Sequence, residues 1–205
     1  MNLIVLAASG ATGRELTKQA LERGHSVTAL VRNSARISPP STASLRVVQG
    51  DVDDAPSIAR ALGHDAIVLS GLGVTDRDRA GVLTAGAHAV VAARPQRIVW
   101  LGAFGSGPSG DAAGWATRTL LKLMGDRLTD KVTADATILR YGGTVFHAGP
   151  LANGPRSESR RTLGLEEVPR RFFPARVTRA TVAAAMLDEA EAPRFVGRIA
   201  VPVER

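Results

Sequence analysis

The sequence predicts an α/β protein built as a doubly wound parallel sheet, and three observations carry the prediction. Short apolar runs alternate with helical patterns along the 205-residue chain, which is how parallel strands and their crossover helices read. The first run, Leu3 to Ala8, breaks at Ser9-Gly10, and Gly13 stands just ahead of a helical pattern carrying Leu16, Ala20 and Leu21. A second run, Ser26 to Val31, follows directly after the turn Arg23-Gly24-His25. Right-handed crossovers then give strand order 3-2-1-4-5, with later strands added beyond. Residues 1–205 are expected to form one domain, its substrate-side region drawn mainly from about 102–175.

The remaining elements follow in order. After the loop Ser38-Pro-Pro-Ser, Leu45 to Gln49 reads as a third strand ending at Gly50-Asp51. Asp54 starts a helix through Ile58, Ala61 and Leu62, with Pro56 suited to its first turn. A turn at Gly63-His64-Asp65 leads to a fourth strand, Ala66 to Ser70, which ends at Gly71-Leu72-Gly73, where the strand order reverses. A helix over about 79–93 leads to a fifth strand, Arg97 to Leu101, and the glycine-rich segment Gly102 to Pro108. Helices over about 113–124 and 128–140 precede a sixth strand from Gly142 to Phe146, ending at His147. The Arg-rich stretch from Gly149 to Pro174 reads as irregular, Thr178 as the N-cap of a helix to Glu191, and Gly197 to Val203 as the last strand.

The glycine turn carries chemistry. Without a Cβ, its backbone can approach a phosphate, and the helix beyond points unpaired N–H groups and the positive end of its dipole at the anion. A dinucleotide pyrophosphate fits that arrangement. The full G-x-G-x-x-G fingerprint is absent: Gly10-Ala-Thr-Gly13 supplies one pair, and Leu16 stands where a third glycine is expected. The end of the second strand speaks to the cofactor. An Asp or Glu there accepts from the ribose 2′-hydroxyl of NAD, whereas an Arg pairs with the 2′-phosphate of NADP. The residues are Val31-Arg32-Asn33-Ser34, with Arg36 beyond. Arg32 is therefore expected to hold the 2′-phosphate, and NADP(H) to be preferred over NAD(H).

Composition excludes several classes. Cysteine is absent, so disulfides, thiolate catalysis and cysteine-ligated metals are out. No run approaches the roughly 18 apolar residues of a membrane span, and no basic leader precedes the first strand, so a cytoplasmic protein without a membrane partner is expected. The 26 basic residues against 19 acidic ones give a net charge of +7. Seven arginines fall between Gly154 and Arg179. With 4% aromatics and no recognition-helix motif, a solvated or partner-facing surface is expected there rather than a nucleic-acid partner. No feature marks a subunit interface, which leaves monomer or homodimer open.

Several segments together resemble the atypical, or extended-type, short-chain dehydrogenase/reductase group, with its NmrA-like and flavin reductase (biliverdin reductase B-like) members. They are Gly10-Ala-Thr-Gly13, Gly24-His-x-Val-Thr-Ala-Leu-Val-Arg32, Gly50-Asp51-Val52, Gly71-x-Gly73, Asp130-Lys131 and Thr144-Val-Phe. The resemblance implies a Rossmann fold, with Gly10, Thr12, Gly13 and Arg14 at the pyrophosphate and Arg32 at the 2′-phosphate. Asp51 and Val52 fall to the adenine, and Gly71, Leu72, Gly73, Gly102, Ala103 and Phe104 flank the nicotinamide. It departs at two places. Gly102 stands where the flavin reductase relatives carry a serine, and Gly149 where they carry an active-site histidine, with His147 displaced by two.

A Tyr-x-x-x-Lys dyad cannot exist, because the single tyrosine is Tyr141 and position 145 is valine. The histidines, at 25, 64, 88 and 147, lack metal-ligand spacing, so no metal is expected. His147, at the carboxyl end of a strand, is the candidate catalytic side chain. Two functions remain open. One is an NADPH-dependent reductase passing hydride to a small planar acceptor such as a flavin or quinone, with Phe104, Trp115 and His147 at the acceptor; such a transfer needs alignment more than a protein acid. The other is an NADP(H)-binding regulator or interaction protein that does no chemistry.

Overall fold

The computed structural model describes residues 1–33, 43–62, 65–74, 78–113, 125–169 and 175–204. Its strands are β1 (Asn2–Leu6), β2 (Ser26–Val31), β3 (Leu45–Gln49), β4 (Ile67–Ser70), β5 (Arg97–Ala103), β6 (Thr144–Ala148), β7 (Leu151–Ala152), β8 (Arg161–Gly164), β9 (Val177–Thr178) and β10 (Ile199–Val203). The helices are α1 (Ala11–Glu22), α2 (Ala55–Ala61), α3 (Val82–Ala92), α4 (Asp126–Tyr141) and α5 (Arg179–Glu191). The main sheet runs β3-β2-β1-β4-β5-β6-β10-β8, which contains the expected order. Its neighbours are parallel until β8, which runs antiparallel to β10, and β7 pairs with β9 in a separate small parallel ladder.

Both faces of the sheet are covered, which is why its inner strands read as unbroken apolar runs. In β1, Leu3 and Val5 join one core with Leu16 and Ala20 of α1 and Val182, Met186 and Leu187 of α5. Ile4 and Leu6 point the other way, into a core with Ile58 of α2, Leu83 and Val90 of α3, Trp100 and Ile138. Sheet order reverses between β1 and β4, and the loops leaving their carboxyl ends part there.

Local chemistry sets the helix ends. The Asp54 carboxylate accepts the Ser57 N–H at 3.4 Å to start α2, and Thr178 Oγ1 accepts the Thr181 N–H at 3.2 Å to start α5. Helix α3 begins instead at Gly81, φ 82°, with no cap of its own. Asp130 of α4 supplies one: its carboxylate accepts the N–H groups of Leu83 at 3.1 Å and Thr84 at 2.8 Å. The Asp130-Lys131 segment thus includes a buried structural cap that ties two helices together.

Three expectations change. The stretch after Gly149 is not wholly irregular, because β7, β8 and a 3-10 turn at Leu165–Glu167 lie in it; β8 is a polar edge strand, so no apolar run announces it. The sixth strand starts at Thr144, since Gly142 at φ 93° closes α4 and Gly143 packs against Ile138. His147 is the penultimate residue of β6, at the carboxyl end of the strand as expected. Helix α3 starts at Val82, three residues later than about 79, because Arg79 and Ala80 belong to the turn before Gly81. Residues 114–124, including Trp115, lie outside the described residues, as do His64, Ser34 and Arg36.

Candidate functional site

A cleft of about 440 Å³ opens where the sheet order reverses. Its floor is the β1–α1 turn, Leu6 to Thr12 excepting Ala8, and its walls come from the ends of β2, β3 and β4. Gly10 caps α1 without any side-chain hydrogen bond, and no acidic residue stands in the first turn. The first N–H groups of that helix and its positive dipole end thus face the cleft without competition from a side chain, which is the condition for binding an anion.

The register of the turn differs from the one read in the sequence. Ala7 sits at φ 58°, the left-handed region that favours glycine. Gly10 follows three residues on, and a Cβ at Gly13 would lie 2.1 Å from the Ala7 carbonyl oxygen. Tight turn, close backbone approach and close helix–strand packing are the three tasks of a dinucleotide fingerprint, and they fall on positions 7, 10 and 13. Leu16, fully buried in the core, holds no glycine's place. Alanine at the first position hid the pattern.

Of the residues expected at the cofactor, Gly10, Thr12, Arg32, Val52, Gly71, Leu72 and Gly73 line the cleft. Gly13 lies behind the turn, and Arg14 is exposed on α1 away from the lining. The Asp51 carboxylate accepts the Asp53 N–H at 3.0 Å and so shapes the β3–α2 turn. Gly71 packs on the fingerprint itself, where a Cβ would come within 3.0 Å of the Gly13 nitrogen. Leu101 lines the cleft from β5, whereas Gly102 and Ala103 do not.

Arg32 is not alone at the rim of the cleft. Its Nη1 donates to Asp78 Oδ1 at 2.8 Å, and beside it Arg79 Nε donates to Asp53 Oδ2 at 3.0 Å. The hydrogen bond from Arg79 holds the Asp53 carboxyl below its usual range, with the charge of Arg32 adding to the effect. Asp78, Leu151 and Arg179 also line the cleft and were not foreseen. Arg179 is the first residue of α5 and donates from Nη1 to Asn153 Oδ1 at 2.9 Å.

The far side of β5 is built differently. His147 is fully buried, with Nδ1 2.6 Å from Ser109 Oγ and Nε2 3.2 Å from Asp135 Oδ2. The Ser109 hydroxyl carries one proton and reaches both His147 Nδ1 and the Ser106 carbonyl, the latter at 3.0 Å, while Nε2 can donate to the carboxylate. Ser109 Oγ also accepts the Gly105 N–H at 2.7 Å, so the array ties the loop after β5 to β6 and α4. Asp135 Oδ1, also buried, has no partner among the described residues. A Cβ at Gly102 would lie 2.7 Å from the His147 ring and 2.9 Å from Asp135, so these side chains fill the space a serine there would need. Phe104 is buried against Ala113, Ile199 and Val201. Neither His147 nor Phe104 presents a face to the described cleft. Half-buried Lys131 lies one turn before Asp135; burial pushes its ammonium below the ordinary range, against the upward pull of Asp135 and Asp130.

No group of three or more candidate metal ligands occurs among the described residues, and none of the described helices is long and apolar enough to cross a membrane. A family model for NAD(P)H-binding proteins matches residues 7–193. Among solved structures, ChuY, an anaerobillin reductase from Escherichia coli O157:H7, aligns over 100% of this chain and 97% of its own, at 19% identity and TM-score 0.80. A wide-type short-chain dehydrogenase/reductase from Veillonella parvula, solved with NADP, aligns over 99% of this chain and 94% of its own at 18% identity and TM-score 0.79. An oxidoreductase from Lactococcus lactis aligns over 100% and 91%, at 17% identity and TM-score 0.78. At these identities the three structures establish the shared fold.

Proposed function

Because the chain belongs to the NAD(P)H-binding family, we propose that it is a reductase that takes hydride from NADPH and delivers it to a small planar acceptor such as a flavin or quinone. The observation that carries this reading is the uncapped N-terminus of α1 opening into a cleft with Arg32 at its rim. The backbone N–H groups at the start of α1 would hold the pyrophosphate, and Arg32 the 2′-phosphate. Gly71 keeps the β4 loop close to the turn, so that Leu72 and Val74, which line the cleft, would shield a bound cofactor from water. When bound, the nicotinamide supplies the hydride. The reductase named in ChuY uses the same fold, which supports the reading.

One observation favours a second reading, a cofactor-binding regulator without turnover. Among the described residues lining the cleft, the only titratable side chains are Arg32, Asp78 and Arg179, and the array around His147 is closed off. Hydride transfer to a ring acceptor tolerates this, because alignment dominates over proton donation. Steady-state NADPH oxidation with a panel of flavins and quinones, with NADH as the control donor, separates the two. Turnover with NADPH ahead of NADH fits the reductase; tight NADPH binding with no oxidation across the panel favours the regulator. Arg32→Ala is expected to weaken NADPH by about 1.5–3 kcal/mol, the range for charged hydrogen bonds, and to leave NADH nearly unchanged. Equal losses for both cofactors in a binding titration would remove Arg32 from the 2′-phosphate.

A further inference from the structure

The cleft holds a carboxylate that this reading does not use. Asp78 lines the same cleft as Arg32; its side chain is 5% exposed where that of Arg32 is 63% exposed, and the two are 2.8 Å apart. Arg79 and Asp53 form a second pair alongside. Among the described residues, each of these two guanidinium groups is thus paired with a carboxylate, where a 2′-phosphate brings a charge of about −2.

Resting on the NADP(H) reading above, we propose that Asp78 is a cofactor-specificity residue that restrains the preference for the 2′-phosphate and keeps the site open to NADH as well as NADPH. A phosphate at Arg32 shares one guanidinium with the carboxylate already on Nη1, so two like charges sit a few ångströms apart at a partly desolvated rim. With a ribose 2′-hydroxyl the sign reverses, because a carboxylate accepts that hydrogen bond as the acid of an NAD site does. Asp78 also orients Arg32, which helps a phosphate; but an asparagine, whose amide oxygen still accepts from Nη1, retains that help while removing the charge and turning the second oxygen into an NH2 donor. Nothing near Arg32 in sequence announces this acid, which arrives 46 positions later.

The test is equilibrium titration of full-length wild type, Asp78→Asn and Arg32→Ala with NADPH and with NADH, followed by nicotinamide fluorescence. In the wild type the two dissociation constants are expected within about tenfold of each other; Asp78→Asn should tighten NADPH about tenfold and weaken NADH by about threefold, the amide oxygen being the poorer acceptor for the 2′-hydroxyl. An Asp78→Asn variant that binds NADPH no better, or worse, overturns the proposal. Should that variant fail to fold, the wild type decides alone: a preference for NADPH beyond about a hundredfold is incompatible with a restraining carboxylate. Arg32→Ala separates the two levels. If it leaves NADPH binding unchanged, the 2′-phosphate reading fails and takes the proposal with it; if it weakens NADPH while Asp78→Asn does nothing, only the role of Asp78 fails.

Discussion

The two sides of β5 solve opposite problems. Toward β1 and β4 the molecule leaves a cleft walled largely by backbone, glycine and small apolar side chains, with an uncapped helix end at its floor. Toward β6 it packs Ser109, His147 and Asp135 into a closed array on the spot a side chain at Gly102 would occupy. The contrast teaches that binding and structure draw on different currencies here. The open side offers an anion N–H groups and a dipole, which need no particular side chain. The closed side pairs Ser109, His147 and Asp135 Oδ2 with one another, which holds the loop after β5 in place and leaves them out of contact with the described cleft.

The strongest way to break the comparison is at the fingerprint. Gly13→Ala puts a methyl group 2.1 Å from a backbone carbonyl, so α1 must shift off β1; a loss of about 3 kcal/mol in urea unfolding is expected, with loss of NADPH binding. Gly73→Ala, where a Cβ meets nothing within 4 Å, is the control for stability and should be near neutral in urea unfolding. If both variants behave alike, the fingerprint is not at positions 7, 10 and 13.

Next comes Asp130→Ala, which strips the cap from α3 and leaves two N–H groups without an acceptor. About 2 kcal/mol of stability should go, readable as an earlier urea midpoint at unchanged slope. His147→Asn sharpens the division between the two sides. It should cost about 1–2 kcal/mol by breaking the bridge between Ser109 and Asp135, while the NADPH dissociation constant stays within about twofold. A large loss of NADPH affinity in a folded His147→Asn protein would show that the two sides are coupled. The smallest effect is a gain. Ala7→Gly relieves a left-handed alanine at φ 58° and should raise stability by about 1 kcal/mol in thermal melts.

The doubly wound fold was legible because each element announces itself locally. Leu3 to Leu6 reads as a buried strand since both faces are covered, and Thr178 reads as an N-cap since its hydroxyl serves the residue three positions on. The resemblance to the atypical short-chain dehydrogenase/reductase group agrees with the NAD(P)H-binding family match over residues 7–193. The edge strand β8 was missed because it is short and polar at its start and its register comes from β10, not from its own pattern. At the site, Gly10, Arg32 and the Gly71–Gly73 loop could be named from their places at strand ends. Ala7 could not, because an alanine held at positive φ looks like any other alanine until the backbone is known.

The sequence by itself therefore determined strands β1 to β6 and β10 with the helices α1 to α5, the glycine turn and the arginine at the end of β2, all set by periodicity and by neighbours a few residues away. Only the tertiary structure decided that Asp78 faces Arg32 across 46 positions, that Asp130 caps α3 across 46 or 47, and that His147 is enclosed by Ser109 and Asp135. Such pairings depend on which loops the sheet brings to one edge, and an isolated Asp carries no mark of the partner that topology will give it.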